Sequence, residues 1–245
     1  MQPELKPVRT DDRGGFGRGP AYDPAQEVAY STADGQKVLR NTYLLLALTM
    51  VPTVIGAFVG MATGGIIMAS PIISSLVMLA VVIGLQYAIA ANRNSGIGVA
   101  LLLLMTGVLG WWLGPILNVA LSMNNGMALV GYAAVGTGII FFAMGAVAQT
   151  IKRDLSFMGK FLFVGMIALL VAMIANAFLQ IPALALTIST LVIVVFSLFL
   201  LYDLNRIVRG GETNYIMATT GVYMSLFNIF ANLLSLLGIV GGDRD

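Results

Sequence analysis

The sequence predicts an all-α, polytopic integral membrane protein, and three observations carry that expectation. Of its 245 residues 58% are apolar and only 10% are charged, with a mean hydropathy of +0.92, whereas an ordinary soluble domain is about a quarter charged. Between Asn41 and Ile151 the only formal charge is Arg93, and from Phe161 to Tyr202 there is none. Apolar stretches of about 20 residues, enough to cross a hydrocarbon core of about 30 Å, recur seven times along the chain. A helix closes its backbone hydrogen bonds within its own segment, which an open strand in lipid does not.

The elements follow in order. Residues 1–41 contrast with everything after them: they hold Pro3, Pro7, Pro20 and Pro24, the run Arg13-Gly14-Gly15-Phe16-Gly17-Arg18-Gly19, and six acids against six bases. Such a composition buries too little apolar surface to offset ordering entropy, so a disordered tail is expected, and it lacks the apolar core of a signal peptide. A transmembrane domain over residues 42–240 then divides into spans at 42–61, 72–91, 97–120, 127–150, 161–179, 183–202 and 213–240, leaving 241–245 as a short C-terminal tail. Pro71 suits the first turn of the second span, Asn92-Arg93-Asn94-Ser95-Gly96 reads as a polar turn, and Pro182 separates the fifth and sixth spans. Pro52 and Pro115 fall inside apolar runs and predict bends; at Gly114-Pro115 a tolerated kink and a split helix are both open. Trp111 and Trp112 read as packing or interfacial residues.

Orientation comes from the bases. With seven spans, Lys37, Arg40, Arg93, Lys152, Arg153, Lys160, Arg206 and Arg209 share the side of the amino terminus, and Arg244 alone lies opposite. The excess of bases places the amino terminus in the cytoplasm and the carboxyl terminus on the far side. The same bases are dispersed among spans rather than gathered into a stripe, which speaks against nucleic acid as a partner. The lipid bilayer is the expected medium.

Chemistry has few carriers. Cysteine and histidine are both absent, which removes thiol nucleophiles, thiolate or imidazole metal sites and His-based acid/base catalysis. No catalytic constellation, cofactor site or confident metal site is expected, and the protein reads as non-enzymatic. Asp203 stands out because it follows directly on an apolar span, where an ionisable group is a functional candidate. Arg206 lies three residues on and is placed to pair with it, which leaves an ion or proton site and a plain helix-end ion pair both open. In the last span Gly221, Ser225, Asn228, Asn232 and Ser235 recur every three or four residues and so share one face. That stripe is expected to point into the bundle, as packing glue or as a cavity wall, with Asn118, Gln149, Asn176 and Gln180 as partners. Gly210-Gly211-Glu212-Thr213 joins the last two spans, with Glu212 near a helix start and Thr213 as its cap.

Three stretches carry a family resemblance: Leu201-Tyr202-Asp203-Leu204-Asn205-Arg206-Ile207, Gly210-Gly211-Glu212-Thr213-Asn214-Tyr215-Ile216, and Tyr223-Met224-Ser225-Leu226-Phe227-Asn228-Ile229-Phe230. Together they resemble the carboxyl-terminal signature of the Bax inhibitor family. Leu113-Gly114-Pro115-Ile116-Leu117, Lys37-Val38-Leu39-Arg40-Asn41-Thr42-Tyr43 and Asp154-Leu155-Ser156-Phe157-Met158-Gly159 look most like its bacterial YccA branch, over about residues 36–240. The resemblance implies six helices around a central seventh in a bacterial inner membrane. For the YccA branch it implies a modulator that binds the membrane-bound ATP-dependent protease FtsH and restrains its action on membrane substrates. For other members it implies a pH-sensitive calcium or cation leak through an aspartate pair and an arginine latch on the second helix. Asp203 matches the first aspartate, whereas Ser225 stands at the second and the span 72–91 holds no arginine. One carboxylate beside a hydroxyl is a poor ligand set for a hard dication.

Overall fold

A computed structural model describes the backbone of residues 24–153 and 155–242, and the side chains of 35–153 and 155–239. Among the described residues eight helices follow one another: α1 (Pro24–Thr63), the single turn α2 (Gly65–Met68), α3 (Pro71–Ala91), α4 (Gly96–Leu121), α5 (Gly126–Thr150), α6 (Ser156–Leu179), α7 (Pro182–Val208) and α8 (Tyr215–Gly242). No strand occurs among the described residues. Seven of the helices are long and apolar enough to cross a membrane, the first of them over Gly35–Thr63. The protein is an all-α integral membrane protein, as its composition requires. Pro71 and Pro182 each open a helix at its first turn, where the missing amide donor costs nothing. Pro52 and Pro115 lie within α1 and α4, and α4 runs unbroken past Gly114-Pro115.

The first helix differs from expectation at its start. It begins at Pro24 rather than near Thr42, because adding a turn to an existing helix costs far less than nucleating one, and Ala25-Gln26-Glu27 and Ala29 are good helix formers. The expected disordered tail therefore overlaps helix from Pro24 onward, and its residues 1–23 lie outside the described residues, as do 243–245 of the C-terminal tail. The helices alternate in direction. One end of the bundle gathers Lys37, Arg40, Arg93, Lys152, Arg153, Lys160, Arg206 and Arg209, and is called the basic end below.

Helices α1 and α4 touch backbone to backbone. A methyl group at Gly56 would overlap the Gly107 carbonyl, one at Gly60 the Trp111 carbonyl, one at Gly110 the Thr53 carbonyl, and one at Gly114 the Gly60 backbone. Glycines spaced by four on both helices create this approach, which in lipid replaces the hydrophobic drive that water would supply. Polar ties cross the same seam: Trp111 Nε1 donates to Thr63 Oγ1 at 2.8 Å, and Asn118 Nδ2 donates to the Met61 carbonyl at 2.7 Å. Trp111 is thus hydrogen-bonded within the bundle as well as packed.

Helix α8 packs against α7, α5, α1, α4 and α3, whereas α6 makes its main contact with α7. The buried core is built from α8 and its neighbours, through Leu102, Met105, Leu200, Val222, Tyr223 and Ile229. Tyr223 is fully inside and its hydroxyl pairs with Thr53 Oγ1 at 2.8 Å, tying α8 to α1.

Replacing Gly60 or Gly114 by valine is expected to force α1 and α4 apart and to cost about 3 kcal/mol or more, read as a lower thermal midpoint in detergent. Gly84→Ala, where the added methyl meets open space, should leave the midpoint unchanged or raise it.

Candidate functional site at the basic end

Near the basic end α7 and α8 are joined by a tight return. Gly210 takes a positive φ of 74°, a conformation that glycine adopts without strain. The chain then folds back so that the Gly211 and Glu212 amides donate to the Arg206 carbonyl at 2.8 and 3.2 Å. This return carries Glu212 to Arg206: Arg206 Nη2 lies 3.1 Å from Glu212 Oε2 and donates to the Gly211 carbonyl at 3.3 Å, while its guanidinium stands 5.8 Å from the centre of the Tyr202 ring. The expected pairing of Arg206 with Asp203 is therefore replaced by a pairing with Glu212. Spacing along one helix misses it because the partner comes from the following turn.

The start of α8 is capped by Asn214 rather than Thr213. Asn214 Oδ1 accepts from the Ile216 and Met217 amides at 3.0 and 3.1 Å, while its own amide donates to Glu212 Oε1 at 3.0 Å. Its Nδ2 reaches the Arg93 carbonyl at 2.8 Å, linking the return to the α3–α4 turn. Asn205, fully buried, clamps the α5–α6 connection: its Oδ1 accepts from the Leu155 amide at 3.2 Å and its Nδ2 donates to the Arg153 carbonyl at 3.4 Å.

Asp203 points the other way, into a cavity of about 310 Å³ between α3, α6, α7 and α8. Its carboxylate lies against Gly221, where an added methyl carbon would come within 2.7 Å of Asp203 Oδ2. A side chain at 221 would make the Asp203 carboxylate shift from this position. Among the described residues no hydrogen bond or ion pair reaches this carboxylate. Ser225, 2% exposed, lines the same cavity with Thr220 and Gln86, and the remaining wall is largely Met166, Phe196, Phe199, Met217 and Met224.

Of the residues singled out from the sequence, the cavity brings together Asp203, Arg206, Glu212, Gly221 and Ser225. Asn228 and Asn232 are not part of its lining. Their Nδ2 groups donate to the Met224 and Asn228 carbonyls one turn back, at 2.8 and 2.9 Å, so they satisfy themselves on their own helix instead of pairing across the bundle. The other expected partners are engaged elsewhere or exposed: Asn118 bonds α1, Asn176 Oδ1 accepts from the Ile181 amide at 3.1 Å, and Gln149 and Gln180 are exposed. Sequence reasoning missed Gln86, Asn205 and Asn214. The signals were present: a lone amide in the apolar second span, an amide beside Asp203 and Arg206, and an asparagine directly before a helix.

Comparison with known proteins agrees with this architecture. Residues 35–242 match the model of the family described as "Inhibitor of apoptosis-promoting Bax1". The chain is 41% identical over 212 residues to an uncharacterised membrane protein of Vibrio cholerae, covering 86% of this chain and 93% of that one. It is 41% identical over 207 residues to the modulator of FtsH protease YccA of Escherichia coli, covering 84% and 92%. An uncharacterised protein of Pseudomonas aeruginosa is 39% identical over 206 residues, covering 84% and 90%. A seven-span bundle with its acid between the last two helices, matched over nearly its whole described length, belongs to the Bax inhibitor family of integral membrane proteins.

Asn214→Ala is expected to cost about 1 kcal/mol through the lost cap, with faster amide hydrogen exchange at Ile216 and Met217. Exchange unchanged at those two amides would remove the capping role.

Proposed function

We propose that this protein resides in a bacterial inner membrane and modulates the membrane-bound protease FtsH by binding it rather than by catalysis. The observation that carries this reading is the 41% identity to a protein named as a modulator of FtsH, spanning 92% of that protein's length. The basic end is proposed to face the cytoplasm, with the amino terminus there and the carboxyl terminus opposite, because bases are retained on that side during insertion. On this reading the Asn205 clamp and the Arg206–Glu212 return hold the loops on the protease's side of the membrane in one arrangement.

A second reading, a pH-sensitive cation leak, is favoured by one observation: Asp203 faces a cavity inside a spanning helix, and an ionisable group in that setting marks a path or a sensor by default. Calcium fits less well than protons. A hard dication takes six to eight oxygen ligands, and among the described residues no three acidic side chains gather.

Detergent-solubilised protein is expected to co-purify with FtsH, and its overproduction to lengthen the half-life of an FtsH membrane substrate; no association would remove the first reading. For the second, liposomes holding the purified chain should pass cations in a pH-dependent manner that falls at least about tenfold in Asp203→Asn, whereas flux indifferent to that substitution would remove it.

A further inference from the structure

The cavity at Asp203 has a composition that selects among cations. Its charged lining is one base and two acids, Arg206, Asp203 and Glu212. Arg206 and Glu212 neutralise each other at 3.1 Å, and Arg206 is held further by the Gly211 carbonyl and the Tyr202 ring. One negative charge is left over, on the acid that no hydrogen bond or ion pair reaches among the described residues. A charge set against a largely apolar wall is costly until an opposite charge joins it.

The rest of the wall narrows the choice of that opposite charge. Phe196 and Phe199 come from α7, Met166 from α6, and Met217 and Met224 from α8. Gln86, Thr220 and Ser225 add a few neutral oxygens to the lining, fewer than the six to eight that a hard dication takes, and the thioethers and phenyl rings that make up most of the wall are not oxygen ligands. They suit a cation whose charge is sheathed in carbon: phenyl faces attract quaternary ammonium groups, and methionine adapts to irregular apolar shapes. The volume of about 310 Å³ sits at the small end of ligand pockets, which run from about 300 to 1,000 Å³.

We propose that this cavity is a binding site for a small hydrophobic organic monocation, of the alkyl- or arylammonium class, with its charge against Asp203 and its carbon body against Phe196, Phe199 and Met224. The site rests on neither functional reading above. Gly221 lies directly against the Asp203 carboxylate, and a side chain there would displace the acid from its present position.

The test uses the full chain in lipid nanodiscs, titrated with benzyltrimethylammonium, its uncharged isostere neopentylbenzene, and calcium chloride. Benzyltrimethylammonium should bind saturably at one per chain and raise the thermal midpoint. Asp203→Asn should weaken it at least about tenfold, and neopentylbenzene should bind no better than to empty nanodiscs. Met224→Trp, which fills the cavity and leaves every charge in place, should weaken the ammonium probe comparably; it decides the matter if Asp203→Asn does not fold. No saturable binding to the wild-type chain overturns the proposal. So does ammonium binding that survives either variant, or Asp203-dependent binding of calcium tighter than that of the organic cation.

Discussion

Hydrocarbon offers no hydrogen-bond partner, and the placement of nearly every polar side chain in this bundle follows from that. Hydroxyl and amide groups carry a donor, and a donor on a helix can return to the carbonyl one turn back. Thr137, Ser197, Thr220, Asn228 and Asn232 all do so, at 2.6 to 2.9 Å. A carboxylate only accepts, and a helix interior has no free donor to give it. Asp203 cannot hide on its own helix as its polar neighbours do. It must be held where something other than the protein's own backbone can reach it, and the cavity beside Gly221 is that place.

The close approach of α1 and α4 frames the site from the far side of the bundle. Glycines on both helices bring the backbones together, and the Thr53–Tyr223 hydrogen bond fixes α8 against that pair. With α8 anchored to α1 along one face, its opposite side meets α7, and the small residue at 221 sets how near the acid lies. The return at Gly210 then closes the basic end by turning Glu212 back onto Arg206. Neutralising that arginine leaves Asp203 as the surplus charge, so loop and cavity form one electrostatic unit.

Much of this was legible in the residues and some was not, for physical reasons. Span number and most boundaries follow from length and the scarcity of charge, because the bilayer imposes both. The start of α1 is not legible because a polar, proline-bearing segment looks unstructured by composition, although a helix already nucleated in lipid extends past the membrane cheaply. The stripe on α8 was readable as periodicity, but Asn228 and Asn232 had their partners on the same helix, which periodicity does not disclose. Three-residue spacing points Arg206 at Asp203, whereas the turn that delivers Glu212 depends on the positive φ at Gly210. Asn214 displaced Thr213 as cap by a single residue, within the ordinary uncertainty of helix ends.

Family membership accounts for the architecture, and the chemistry that remains is concentrated at one acid in one cavity. Because the chain has no cysteine of its own, a single thiol reports on that cavity without background. The most direct measurement is the rate at which a small, charged, membrane-impermeant thiol reagent modifies Met224→Cys, against Ile229→Cys, which replaces a fully buried residue further along α8 on a different face. Fast modification of the first from the side that bears Thr213, with the second inert, is the expected result. Equal protection of both, or modification only from the opposite side, would contradict a cavity at the basic end that opens onto Asp203.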